Sequence, residues 1–189
     1  MKPESPQPVK FFCGVLYSNE ALLSRAAEGL QEKFGAIDYK SSLYPFAVTD
    51  YYVPEMGRPI IRCFWSFQPL VSPKILAGSK IICNRLEELL AVGGRRKVNL
   101  DPGYMDYDKV VLASAKYNAH KIYLDLGIYA DLTLRYEKGF YKPSEYAFPD
   151  FKSGMYNEVF LHIRARYKGQ LRKLMRSVDP QSAVAAEEV

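Results

Sequence analysis

Val9-Lys10-Phe11-Phe12-Cys13-Gly14-Val15-Leu16-Tyr17 is a nearly continuous apolar run, short enough to be a strand buried on both faces. Ser18 or Asn19 then caps a helix in which Leu23, Ala26, Ala27, Leu30 and Phe34 recur at helical spacing, and Gly35 stops it. Strand followed by helix therefore opens the fold.

Ile37 to Phe46 has the tyrosines and alternation of a second strand, and residues 47–58 are irregular. From Ile60 to Phe67 the pattern alternates. Ile61, Cys63, Trp65 and Phe67 fall on one face, and Arg62 and Ser66 on the other. Ser72-Pro73 reads as an N-cap with proline at the first helical position, opening a helix that carries Ile75, Ile82, Leu86, Leu89 and Leu90 inward until Gly93-Gly94. Lys97 to Leu100 makes a fourth strand. The order β-α-β-β-α-β predicts an α+β protein with a ferredoxin-like core over residues 9–101, an antiparallel sheet with both helices on one face.

The second part, residues 102–177, reads as an extension of that domain. Asp101-Pro102-Gly103 suits a type II turn, and Asp106 begins a helix through Tyr107, Val110, Val111 and Ser114, although Lys109 to Ala113 alone fits a strand equally well. A hairpin turns at Asp125-Leu126-Gly127, placing Ile122, Leu124, Ile128, Ala130, Leu132 and Leu134 on one face. Lys121, Tyr123, Tyr129, Asp131, Thr133 and Arg135 fall on the other. Lys138-Gly139 returns Phe140 and Tyr141 as a short third strand, and a basic helix spans about 153–176. Residues 1–8 read as a flexible arm, and 178–189 as a disordered tail.

Of the 189 residues 48% are hydrophobic, which suffices for a core and excludes a disordered or fibrous chain. No apolar run is long enough for a membrane span, and the first eight residues lack the apolar segment of a secretory signal, so a soluble cytoplasmic protein is expected. Cys13, Cys63 and Cys83, odd in number and scattered, fit free thiols in a reducing compartment. The net charge of +5 is uneven. Residues 95–176 carry 16 basic and 9 acidic side chains, which points to an anionic partner such as phosphate, nucleotide or RNA.

Thr49-Asp50-Tyr51-Tyr52, Glu55-Met56-Gly57, Ser66-Phe67, Gly94-Arg95-Arg96, Val98 to Tyr104 and His120 to Leu134 together give the chain its likeness. It resembles an uncharacterised prokaryotic family, domain of unknown function number 4416, from about Pro8 to Leu171. The resemblance implies no activity. The chain has no G-x-x-x-x-G-K-[ST] loop and no Asn-Lys-x-Asp set, which excludes P-loop GTP binding of the usual kind.

The candidate ligand-binding residues are Arg95, Arg96, Asn99, Asp101, Tyr104, Tyr129, Thr133 and Arg135. Arg95 and Arg96 after two glycines suit a phosphate clamp, since a guanidinium offers phosphate a rigid fork. Asn99 and Asp101 share a strand face, and the hairpin tyrosines can stack on bases while Arg135 holds phosphate. The expectation is a basic, tyrosine-lined cleft binding a nucleotide or RNA. One alternative is a small phosphoryl-transfer or hydrolytic enzyme with His120 and Asp131 as proton carriers. The other is a scaffold or oligomerisation protein. No residue spacing matches a metal template, no cofactor is indicated, and Asp50 with Glu55 reads as a loop anion pair while His162 reads as structural.

Overall fold

The computed structural model describes residues 2–178. In chain order the elements are β1 (Val9–Tyr17), α1 (Glu20–Phe34), β2 (Ile37–Lys40), β3 (Tyr44–Pro45), α2 (Val53–Met56), β4 (Ile61–Val71), α3 (Ile75–Leu89), β5 (Val98–Met105), β6 (Lys109–Ser114), β7 (Ile122–Asp125), β8 (Ile128–Glu137), β9 (Phe140–Pro143), α4 (Pro149–Lys152) and α5 (Asn157–Val178). All nine strands join one antiparallel sheet of order β2-β4-β1-β5-β6-β8-β7, with β3 on β4 and β9 on β8. The protein is thus α+β. The tail expected beyond α5 falls outside the described residues.

Helices cover both faces of the sheet. Phe11, Cys13, Val15 and Tyr17 of β1 pack with α1 and α3, whereas Phe12 and Phe64 pack on the other face with Phe151 of α4, Tyr156 of the following turn, and Phe160 and Ile163 of α5. Every residue of β1 is buried, which is why its sequence shows no alternation. The double cover also buries Arg62 and Ser66, which a one-sided sheet would have left in water. Lys10 is fully buried too. Its ammonium donates to Asp38 Oδ2 (2.5 Å), the Phe67 carbonyl (2.6 Å) and Gln170 Oε1 (2.7 Å), tying α5 to β2 and β4. Among the described residues no helix is long and apolar enough to cross a membrane.

Several local readings need correction. Ile37 to Phe46 is two short strands, because at Ser41 the hydroxyl takes over part of the ladder: Phe64 N–H donates to Ser41 Oγ (2.9 Å). Helix α3 is rotated from its expected setting. Its buried line is Leu76, Lys80, Cys83 and Glu87, with Leu89 77% exposed, so two charged residues took inward places that periodicity had given to leucines. The close approach of α1 and α3 shows at Gly29, where a Cβ would stand 2.8 Å from Leu86 Cδ1.

Pro102-Gly103 is no turn; it lies inside β5. Gly103 is required there by space, since a Cβ would sit 2.7 Å from Phe12 Cζ and 2.7 Å from the Val111 carbonyl oxygen. Residues 109–114 form strand β6 rather than a helix, as adjacent β-branched Val110 and Val111 favour. Asp106 does cap something, but it is a turn: its Oδ1 accepts the N–H of Asp108 and of Lys109, both at 2.9 Å.

The hairpin of β7 and β8 forms where expected, yet its polar residues do not share one face. Val110 pairs with Leu134 while Val111 pairs with Leu132, so Thr133 is an extra residue in β8. Such a bulge moves every later side chain to the opposite face. Leu134 turns into the α5 core, and Arg135 turns out to solvent beside Glu137.

Candidate functional site

The β5–β6 ladder is short. It runs only through Gly103–Leu112, Tyr104–Val111 and Met105–Val110, after which the two strands separate. Leu100 then has no β6 partner, and α3 supplies one for each backbone group. The Leu100 N–H donates to Glu87 Oε1 (2.6 Å), and its carbonyl accepts from Lys80 Nζ (2.7 Å). Two residues on, Pro102 has the same orientation by strand periodicity, so the N–H it lacks would have faced the gap.

Into this split opens a cleft of about 780 Å³. One wall is β5 with Arg96, Asn99 and Asp101; the other is Leu112 to Lys116 of β6 and its following loop, with Asp131 of β8. Phe46, Tyr51 and Tyr52 close it from one side and Phe148 to Phe151 from another, while Lys80 and Glu87 of α3 reach in from behind.

The β5 wall carries an alternating line of charges. Arg96 donates Nε and Nη2 to the two oxygens of Glu55, both at 2.7 Å, and Nη1 to Glu87 Oε2 at 2.8 Å. Lys80 Nζ lies 3.9 Å from Glu87 Oε1 and 3.5 Å from Asp101 Oδ1. Arg62 continues the line, 3.7 Å from Asp101 and 3.6 Å from Asp150. It can reach across β1 because residue 14 is glycine: a Cβ there would stand 3.1 Å from Arg62 Nη1. Its guanidinium also lies over the rings of Phe46 (5.2 Å), Phe64 (5.7 Å) and Phe151 (5.9 Å).

The hydrogen bonds from Arg96 hold the Glu55 carboxyl below its usual range. Burial pushes Glu87 the other way, above the usual range. For Lys80, burial favours the neutral amine, but Asp101 and Glu87 outweigh it and raise the lysine, so it stays a cation. Burial also raises the Tyr52 phenol, which remains neutral.

The opposite wall is less complete. Asp131 Oδ2 pairs with Lys121 Nζ (3.2 Å), which also donates to Ser114 Oγ (2.9 Å). Asp131 Oδ1 is buried and has no hydrogen-bond partner; His120 Nε2 stands 3.5 Å away, and its ring stacks on Tyr146 at 4.5 Å. Arg62 Nε on the facing wall is likewise buried and unpaired.

Of the residues singled out from the sequence, Arg96, Asn99, Asp101 and Asp131 line the cleft, with His120 against Asp131. The donors of Arg96 are taken by carboxylates. Asn99 donates to Asp101 Oδ2 (3.0 Å), and Thr133 is buried with its hydroxyl on the Asp131 carbonyl (3.1 Å). Arg95 is exposed on the Gly93-Gly94 turn, Arg135 is on the outer face, Tyr104 packs toward α3, and Tyr129 packs with Tyr117 and Tyr123; none of these four lines the cleft. Asp50 and Glu55 are not a pair. Asp50 binds Arg58, and Glu55 binds Arg96. His162 Nδ1 donates to the Glu158 carbonyl (3.0 Å), and its ring stacks on Tyr39. Sequence reasoning missed Arg62, Lys80, Glu87, Lys116 and Asp150. The available signal was Lys80 and Glu87, seven apart on one helix face and hence two turns in line.

The lining carries four cations (Arg62, Lys80, Arg96, Lys116) and five carboxylates (Glu87, Glu88, Asp101, Asp131, Asp150), so it is not a basic groove. Among the described residues no three His, Cys, Asp or Glu side chains group closely enough to hold a metal ion.

Fold and cleft together define an α+β protein with a charge-lined pocket at the split of a single antiparallel sheet. The chain belongs to the family DUF4416, a domain of unknown function, which matches residues 7–167. Comparison with curated proteins and with solved structures yields no match.

Proposed function

We propose that the chain binds one small phosphate-bearing molecule, of mononucleotide size, in the cleft between β5 and β6. The supporting observation is the distribution of charge. Each cation of the β5 wall already stands against two carboxylates, whereas Lys116 at the rim has none within 4 Å among the described residues. Lys116 instead donates to the Tyr51 hydroxyl (2.6 Å) and lies 4.1 Å from that ring. An anion is therefore favoured at the mouth, and a flat polar ring system inside, among Phe46, Tyr52, Phe148 and Phe151. A long polyanion such as RNA needs a row of free cations, which this cleft lacks.

Titration with 5′-mononucleotides tests this reading. Saturable thermal stabilisation is expected, weakened roughly tenfold or more by Lys116→Ala, the loss of one charged hydrogen bond. No stabilisation by any of them, or no effect of Lys116→Ala, would overturn it.

A second reading is a hydrolytic or phosphoryl-transfer enzyme, supported by the 3.5 Å approach of His120 to Asp131 at the cleft wall. Under that reading His120→Ala abolishes phosphate release while binding persists. The strand order β2-β4-β1-β5, with α1 and α3 on one face, supports a ferredoxin-like origin for residues 9–101. The three buried free thiols are consistent with a cytoplasmic location.

A further inference from the structure

We infer that Asp131 forms a donor-reading subsite, and that with Arg62 opposite it selects nucleotides whose base carries an exocyclic amine. This rests on the proposed cleft reading and adds the ligand's inner end to it. The Asp131 side chain is 6% exposed and lines the cleft. Its Oδ2 is fixed by Lys121, itself held by Ser114, so the carboxylate cannot easily swing away. Its Oδ1 makes no hydrogen bond: His120 Nε2 behind it stands 3.5 Å away, and neither ring nitrogen of that histidine is hydrogen-bonded. Burying a polar atom without a partner is costly, more so when it is charged, so several held together in one wall favour a site that a ligand completes.

The vacancy is specific in sign. A carboxylate oxygen only accepts, so the group that completes it must be an N–H or O–H. On the other wall is the Arg62 Nε–H, on a side chain also 6% exposed; its near acceptor, Asp150 Oδ2, stands at 3.6 Å, beyond hydrogen-bond length, so a ligand acceptor can complete it. The guanidinium has already reached β5, where Asp101 stands 3.7 Å from it. From β5 to β8 are two strand spacings, roughly 10 Å, and somewhat more because β5 and β6 diverge. One ring system with a hydrogen bond of about 2.9 Å on each edge spans such a gap. Aminopurines carry both kinds of group on different edges, the exocyclic amine on one and an acceptor ring nitrogen on another, and the aromatic side chains of the cleft can hold their faces.

The test compares ligands that differ only in the amine, using the full chain: adenosine against purine riboside 5′-monophosphate, and guanosine against inosine 5′-monophosphate, by calorimetric titration. At least one pair should differ tenfold or more in favour of the amine, and Asp131→Leu should erase that difference; a difference that persists in this variant overturns the subsite. Because the ligand-side comparison uses unaltered protein, the amine preference itself is read independently of how any variant folds. Binding that Lys116→Ala weakens but that ignores the amine overturns the subsite and leaves the cleft reading standing. Binding that Lys116→Ala leaves untouched, or no binding by any of the four, overturns both.

Discussion

Replacing Arg62 by methionine isolates what the buried charge line contributes. Methionine retains much of the volume and the contact with Phe46, Phe64 and Phe151 but removes the cation from between Asp101 and Asp150. The Asp150 side chain is 2% exposed, and its remaining partner is the Tyr156 hydroxyl at 3.1 Å. Breaking a buried pair by deleting one member costs about 3–5 kcal/mol, because the other charge is stranded. For a chain of this size that corresponds to a fall in Tm of roughly 6–20 °C. Asp150→Asn in the Arg62→Met background should recover part of the loss, since an amide costs less to bury than an unpaired carboxylate, giving a coupling of about 0.5–3 kcal/mol. Urea unfolding of the four proteins, with the slope m checked for constancy, supplies the cycle. Should Arg62→Met cost under about 1 kcal/mol, or the two substitutions simply add, then 3.6 Å is too far for the pair to be energetically real and the line of charges is only a proximity.

Two other outcomes follow from the same geometry. Glu55 has a carboxyl held below its usual range by Arg96, so its ionised form stabilises the fold above the unfolded pKa of about 4.3. That contribution is lost as pH falls through the lower folded value, so Glu55→Gln should flatten the acid side of a Tm–pH profile; a profile unchanged below about pH 4 contradicts it. Gly103→Ala puts a methyl 2.7 Å from both Phe12 Cζ and the Val111 carbonyl, and the second cannot swing aside. It should destabilise by at least about 1–3 kcal/mol in denaturant titration, and a neutral result would mean that β5 and β6 are farther apart than described.

What the sequence revealed was what local periodicity encodes. The β1 run, the α1 spacing and the Leu126-Gly127 hairpin each depend on neighbours within a few residues, and each formed. The failures share a different cause. Thr133 looks like any alternating strand residue, and only pairing with β6 makes it a bulge that sends Arg135 outward. Pro102-Gly103 is good turn chemistry in isolation; it stays in a strand because β6 leaves the proline side unpaired and Phe12 needs the glycine side empty. Half of the candidate site was legible for the same reason: Asn99, Asp101 and Asp131 are polar residues on strands, visible by parity. Arg62, Lys80, Glu87 and Asp150 meet them only through the sheet order, which joins β4, α3 and α4 to β5.

The split between β5 and β6 explains why the pocket lies where it does. A sheet that opens leaves backbone groups with no ladder, and here a proline removes one donor while Lys80 and Glu87 satisfy the pair at Leu100. Those two charges cannot be buried singly. Glu87 therefore brings Arg96, Arg96 brings Glu55, and Lys80 brings Asp101, which in turn faces Arg62. The inner wall is thus a consequence of repairing the sheet, and its charges are already matched to one another. Under the proposed reading, ligand recognition falls instead to groups that the repair does not use, namely Lys116 at the rim, Asp131 Oδ1 and Arg62 Nε.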